Sequence, residues 1–148
     1  MEYYNGAKEF AEKHIAPVAR ELSEKVGFPE AIYEEIKKEG YLKLLIPEEL
    51  GGLGGDIYDH SEIIRAFSEK SATVGLTYMM HNVALNIVLN AGKEELKQKI
   101  VREVVEEGKT LALAYSESGS GVSFYYPETT AEKKGDKWLL NGSKSMVT

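Results

Sequence analysis

The sequence predicts a mainly α protein, a bundle of helices over residues 1–108 followed by the first strands of a β domain over residues 109–148. Three observations predict it. Apolar residues recur at helical spacing through five successive segments, and one of these, Ala72 to Asn90, is apolar nearly all round, as a helix at the centre of a bundle would be. At Gly108-Lys109-Thr110 the pattern changes from helical periodicity to short runs and alternation. Two tight-turn signals then follow in quick succession, Lys134-Gly135-Asp136 and Asn141-Gly142.

The first helix, from Glu2 to about Lys25, turns Tyr3, Ala7, Phe10, Ala11, Ile15, Val18 and Leu22 to one face. Pro17 lies inside that pattern and should kink the helix or reset its start, because it has no N–H to give to the preceding turn. Phe28-Pro29 opens a second helix with Ile32, Tyr33 and Ile36 inward and Gly40 at its C-cap. Gly51-Gly52-Leu53-Gly54-Gly55 must be a loop, and with no Gly-Lys-Ser/Thr ending it reads as a tight chain crossing rather than a phosphate cradle. A third helix, about Tyr58 to Lys70, carries Ile63, Ile64 and Phe67. The apolar fourth follows, then a charged amphipathic fifth from Lys93 to Glu107, closed by Gly108.

Leu111 to Tyr115 reads as a strand feeding the small-residue turn Ser116-Glu117-Ser118-Gly119-Ser120-Gly121, a place where backbone N–H groups can approach a ligand closely. Thr129 to Lys133 alternates like a half-solvated strand, and Trp138-Leu139-Leu140 returns beside it.

Composition narrows the function. A net charge of −6 argues against a nucleic-acid surface or a polybasic membrane patch. Without cysteine there is no disulfide, thiol catalysis or cysteine metal site. The opening MEYYNGAKEF lacks the order of a signal peptide, and no apolar run is expected to reach membrane-spanning length, so a cytoplasmic protein without membrane contact is the expectation. His14, His60 and His81 lie on different segments with no partner at diagnostic spacing, and all three read as structural or solvent-facing.

Four local patterns occur in order: Ile15-Ala16-Pro17-Val18-Ala19, Ile46-Pro47-Glu48-Glu49-Leu50-Gly51-Gly52-Leu53-Gly54, Ser116-Glu117-Ser118-Gly119-Ser120-Gly121, and Lys134-Gly135-Asp136 through Leu140-Asn141-Gly142-Ser143-Lys144. Together they resemble the acyl-CoA dehydrogenase family of flavoenzymes over essentially the whole chain. The resemblance implies FAD, a helical N-terminal domain, a middle β-barrel domain of which only the beginning is present, and a C-terminal bundle carrying the catalytic glutamate. The chain is thus expected to be a fragment, inactive by itself, with no catalytic residue of its own.

Residue by residue, the resemblance places Tyr115, Ser116, Gly121, Met146 and Thr148 against the flavin, and Gly75, Met79, Val83 and Val122 against substrate. Read alone, Ser116 and Gly121 are turn residues, and Met79 and Val83 are core packing. Met146 stands where the family often has an aromatic residue, Val122-Ser123 replaces Ser-Asp, and Ser118 replaces proline. Glu117 is not expected to be the base. The implied substrate is an acyl-CoA or similar thioester, the implied acceptor an electron-transfer flavoprotein or another carrier, and the implied full-length state a homo-oligomer. Two rival readings are a flavin oxidase or monooxygenase on the same scaffold, and a non-catalytic helical interaction module.

Overall fold

The computed structural model describes residues 2–24, 27–119 and 125–148. Gly121 and Val122 lie outside the described residues, so the flavin and substrate expectations at those two positions have no structural counterpart here. The chain forms two compact units, Met1–Leu111 and Ala112–Thr148.

The first unit holds α1 (Glu2–Phe10), α2 (Ala19–Glu24), α3 (Glu30–Lys38), α4 (Ile57–Ser68), α5 (Ala72–Ala91) and α6 (Glu94–Glu107). Between α1 and α2 the helix widens to a π turn over Ala11–Ile15 and tightens to a 3₁₀ turn over Ala16–Val18. Pro17 explains the reset, since its ring and missing donor are incompatible with a regular helical turn before it. Asp56 caps α4 by accepting from the Tyr58 and Asp59 N–H groups at 2.7 and 3.0 Å, while the Asp59 carboxylate accepts from the Asp56 N–H at 3.0 Å. Gly40 and Gly108 end α3 and α6 in the left-handed region, at φ 79° and 63°.

The core is aromatic at its centre. Phe67 of α4 is fully buried and meets Phe10, Tyr41 and Tyr78 at ring-centroid distances of 5.3, 5.4 and 5.2 Å, the last two edge-on. Ile15, Ile36, Leu44, Ile46, Ile63, Val74 and Leu85 are fully buried in the same core. Contrary to the expectation from sequence, α5 is a helix of 20 residues long and apolar enough by composition to cross a membrane. Its buried residues Val74, Tyr78, His81, Asn82 and Leu85 pack within the helical unit, the other setting in which such composition occurs.

The glycine loop is a compact crossing, as its composition suggests. Leu53, Gly54 and Gly55 N–H groups donate to the Lys43, Ile46 and Leu44 carbonyls at 3.1, 2.9 and 2.8 Å, folding the loop back on the segment before it. A Cβ on Gly52 would run into the Ile46 carbonyl, a backbone group that cannot swing aside. Gly52→Ala is therefore expected to cost about 1–3 kcal/mol in urea unfolding. Gly6→Ala, whose added methyl would meet only the Tyr41 hydroxyl at an ordinary 3.6 Å within a helix, should be neutral or stabilising by up to about 1 kcal/mol. Equal losses at the two sites would count against the crossing geometry.

The second unit holds one antiparallel hairpin, β1 (Thr130–Lys134) and β2 (Lys137–Asn141), in the register Thr130 to Asn141 through Lys134 to Lys137. The turn falls at Gly135, φ 62°, where the sequence places it. Two expectations fail. Leu111 to Tyr115 has no strand assignment, because no described strand offers it a ladder of backbone partners. The hairpin does not bury one face either: every residue of both strands is exposed, including Trp138 and Leu140, since among the described residues no second layer packs on it.

Candidate functional site

The small-residue turn of the second unit is organised by a buried carboxylate. Glu117 is only 4 % exposed, and four donors converge on its side chain and its immediate neighbours. The Lys144 ammonium donates to Glu117 Oε1 at 2.5 Å and to the Tyr115 carbonyl at 3.3 Å. The Thr129 N–H donates to Glu117 Oε1 at 3.1 Å, and the Glu128 N–H donates to Oε2. One residue beyond the lysine, the Ser145 N–H donates to the Ser116 carbonyl at 2.8 Å. Lys144 first, and then the donors from Glu128 and Thr129, hold the Glu117 carboxyl down at about 2, so it is an anion at any ordinary pH. A carboxylate so engaged is a poor proton acceptor near neutrality.

Four of the candidates for flavin contact are among the described residues. Tyr115 is about half exposed and Ser116 half-buried. Met146 is 85 % exposed and holds φ 52°, the left-handed region that a residue with a side chain seldom enters. Thr148 is exposed. The segments Tyr115–Ser116 and Lys144–Ser145 are brought together through Glu117 and Ser116, and Met146 follows directly.

In the first unit, Gly75, Met79 and Val83 follow one another along α5 at one-turn steps. Met79 and Val83 are half-buried, whereas Gly75 is buried against α4, where an added Cβ would collide with the Ser68 side chain. Gly75 thus lets α4 and α5 cross closely. A groove of about 800 Å³ opens elsewhere on the unit, floored by Leu45, Leu50, Leu89, Val101 and Val105, and includes none of the candidate residues.

The histidines are structural. His81 is buried with Nε2 2.8 Å from the Leu42 carbonyl, while its Nδ1 accepts from the Leu111 N–H at 3.0 Å. That pairing defines a neutral imidazole protonated at Nε2, and burial lowers its pKa. His60 is buried beside Tyr78, its pKa pushed down to about 4 by burial and by His81. His14 stacks on Phe10 at 4.8 Å. Among the described residues no group of His, Asp and Glu is arranged to hold a metal ion.

Sequence reasoning missed the Glu117–Lys144 pair although it used both residues. They are 27 positions apart, with no periodicity to link them.

A helical bundle whose chain passes through a small-residue turn into a β hairpin defines a two-part α-then-β architecture. Residues 2–108 match the acyl-CoA dehydrogenase N-terminal domain. The chain is 33 % identical over 143 residues to the 3-(aryl)acrylate reductase of Clostridium sporogenes, covering 96 % of this chain and 38 % of that protein. It is 35 % identical over 142 residues to an acyl-CoA dehydrogenase of Bacillus subtilis, covering 95 % of this chain and 38 % of that one. Among solved structures, the acyl-CoA dehydrogenase of Bacillus anthracis complexed with FAD superposes with a TM-score of 0.84 at 27 % identity, covering 99 % of this chain and 26 % of that one. The chain belongs to the acyl-CoA dehydrogenase family. It spans a little over a third of the length of these curated relatives.

Proposed function

We propose that the chain is the N-terminal part of an FAD-dependent oxidoreductase that dehydrogenates acyl-CoA thioesters between the α and β carbons. The observation that carries this is family membership over nearly the whole chain, at 33 % and 35 % identity to a reductase and a dehydrogenase. FAD is the flavin that the family resemblance implies, and one structural relative is complexed with it. In this reading the flavin, when bound, supplies the acceptor for the β-hydride.

This chain's residues bind and orient. Ser116 and Thr148 offer hydroxyls to the polar edge of the ring, and Tyr115 and Met146 offer apolar surface to its body. Gly121 is a further flavin-contact candidate by family resemblance. By family resemblance, Gly75, Met79 and Val83 along α5, and separately Val122, are the candidates for contact with the acyl group. The family resemblance assigns the base that removes the α-proton to a glutamate outside these residues, and Glu117, paired with Lys144, is not given that role. By itself the chain is expected to bind without turning over. In the whole protein, electrons would pass on to an electron-transfer flavoprotein or another carrier, and the whole protein would be a homo-oligomer. The same chemistry run in reverse, reduction of a carbon–carbon double bond, is favoured by the likeness to a relative named for reducing 3-(aryl)acrylates.

Titrating FAD into the chain, with flavin fluorescence and the visible band as readouts, should give saturable quenching and a shifted band. FMN in a parallel titration is expected to bind more weakly. A linear, non-saturating response to FAD would show that the residues assigned here do not hold the cofactor.

A further inference from the structure

The buried anion in the small-residue turn has no role in the chemistry proposed above, yet its side chain accepts from Lys144 and from the Glu128 and Thr129 N–H groups. The bonds made by it and by its neighbours in the chain join three separate stretches. Lys144 follows β2, Glu128 and Thr129 lead into β1, and Tyr115 with Ser116 precede the turn itself. A buried carboxylate is costly unless charged and polar donors compensate it, and here an ammonium and two backbone N–H groups do so. Lys144 spans two acceptors, the Glu117 carboxylate and the Tyr115 carbonyl, so its position depends on both ends of the Tyr115–Glu117 segment. Close by, a Cβ on Gly142 would meet the Thr129 hydroxyl, and one on Gly119 would meet the Glu128 carboxylate, so the backbone has drawn in tightly on either side.

We propose that Glu117 and Lys144 are positioning residues, a latch that closes the Tyr115–Ser116 segment onto Lys144–Ser145 and so presets the edge that receives the flavin. Neither touches the cofactor in this reading; they act through the Ser116 backbone and through the placement of Met146. The inference rests on the flavin reading for what the edge is for, and on geometry alone for the latch. Closing before binding matters because a flexible edge would have to be ordered at the expense of affinity.

The test compares E117Q, K144M and K144R with the unaltered chain by amide hydrogen exchange and by FAD titration. E117Q keeps the shape of the side chain and removes its charge, K144M removes the donor, and K144R keeps the charge and the donors. In E117Q and K144M the Ser145 and Thr129 amides should exchange about tenfold faster or more, while K144R keeps most of their protection and the amides of α5 are unchanged. FAD affinity should fall in step, by about tenfold, with the bound-flavin band displaced in E117Q and K144M and restored in K144R. Unchanged exchange in E117Q and K144M would overturn the latch. Faster exchange with unaltered flavin affinity and band would leave a stabilising contact only and overturn the positioning role. If the unaltered chain takes up no FAD, it is the flavin reading that falls, and the latch is then judged by exchange alone. Should E117Q fail to form the hairpin, the contrast between K144M and K144R decides.

Discussion

Phe67→Ala is expected to remove about 3–5 kcal/mol from the stability of the helical unit. The ring is fully buried on α4 and lies at the meeting point of three others, Phe10 from α1, Tyr41 from the 3₁₀ turn after α3, and Tyr78 from α5. Truncation leaves a cavity on which these elements cannot close without giving up their own contacts. The Tyr78 hydroxyl also donates to the Tyr41 carbonyl at 3.2 Å, which holds two walls of that cavity in place. Native domains are stable by only about 5–15 kcal/mol, so a loss of this size should remove a large share of the total. The urea midpoint, followed by helical circular dichroism, measures it. Tyr58→Ala, at a ring 78 % exposed, is the comparison and should cost no more than about 0.5 kcal/mol. A loss at Phe67 no larger than that at Tyr58 would mean that the aromatic cluster does not organise the core.

The second large effect is a loss of stability in mild acid. His60 is buried, its Nε2 has no hydrogen-bond partner among the described residues, and its folded pKa is about 4 against 6.5 for an ordinary imidazole. Between those values the unfolded chain takes up a proton that the folded chain refuses, so stability falls as pH falls from about 6.5 to 4 and levels out below. At 1.36 kcal/mol per unit, the displacement corresponds to about 3 kcal/mol. His81, lowered by burial in the same direction, adds to it. Glu117 works in a different window, since its carboxyl is depressed from 4.5 to about 2 and its contribution is lost only as pH drops below about 4.5, in the other unit. Urea midpoints of the helical unit should therefore drop between pH about 7 and about 4.5, and His60→Leu should flatten that drop. An equally steep fall in His60→Leu would place the acid sensitivity elsewhere.

Much of the helical unit was legible because its information is local. The face Ile32, Tyr33, Ile36 and the face Ile63, Phe67 are visible as spacing, and a helix must turn such residues inward wherever it packs. Pro17 and Gly108 act through their own backbone geometry, which no distant contact needs to supply. The hairpin turn at Gly135 is of the same kind. Flavin and substrate candidates came from resemblance, and the fold brings Tyr115 and Ser116 to Lys144 and Ser145 without any of those residues announcing the others.

The fold alone settled where local pattern meets partners far along the chain. Leu111 to Tyr115 has the composition of a strand, but strandedness needs a neighbour, and none of the described strands pairs with it. Alternation in Thr129 to Lys133 marks a face that could be buried, and only a second layer could bury it. His81 becomes a neutral, two-ended tie because packing delivers the Leu42 carbonyl from 39 residues away and the Leu111 N–H from 30. Glu117 and Lys144 find each other in the same way. Periodicity and turn chemistry reside in a few consecutive residues and can be read in one dimension, whereas a buried polar pair exists only once the chain has chosen which distant groups to enclose together.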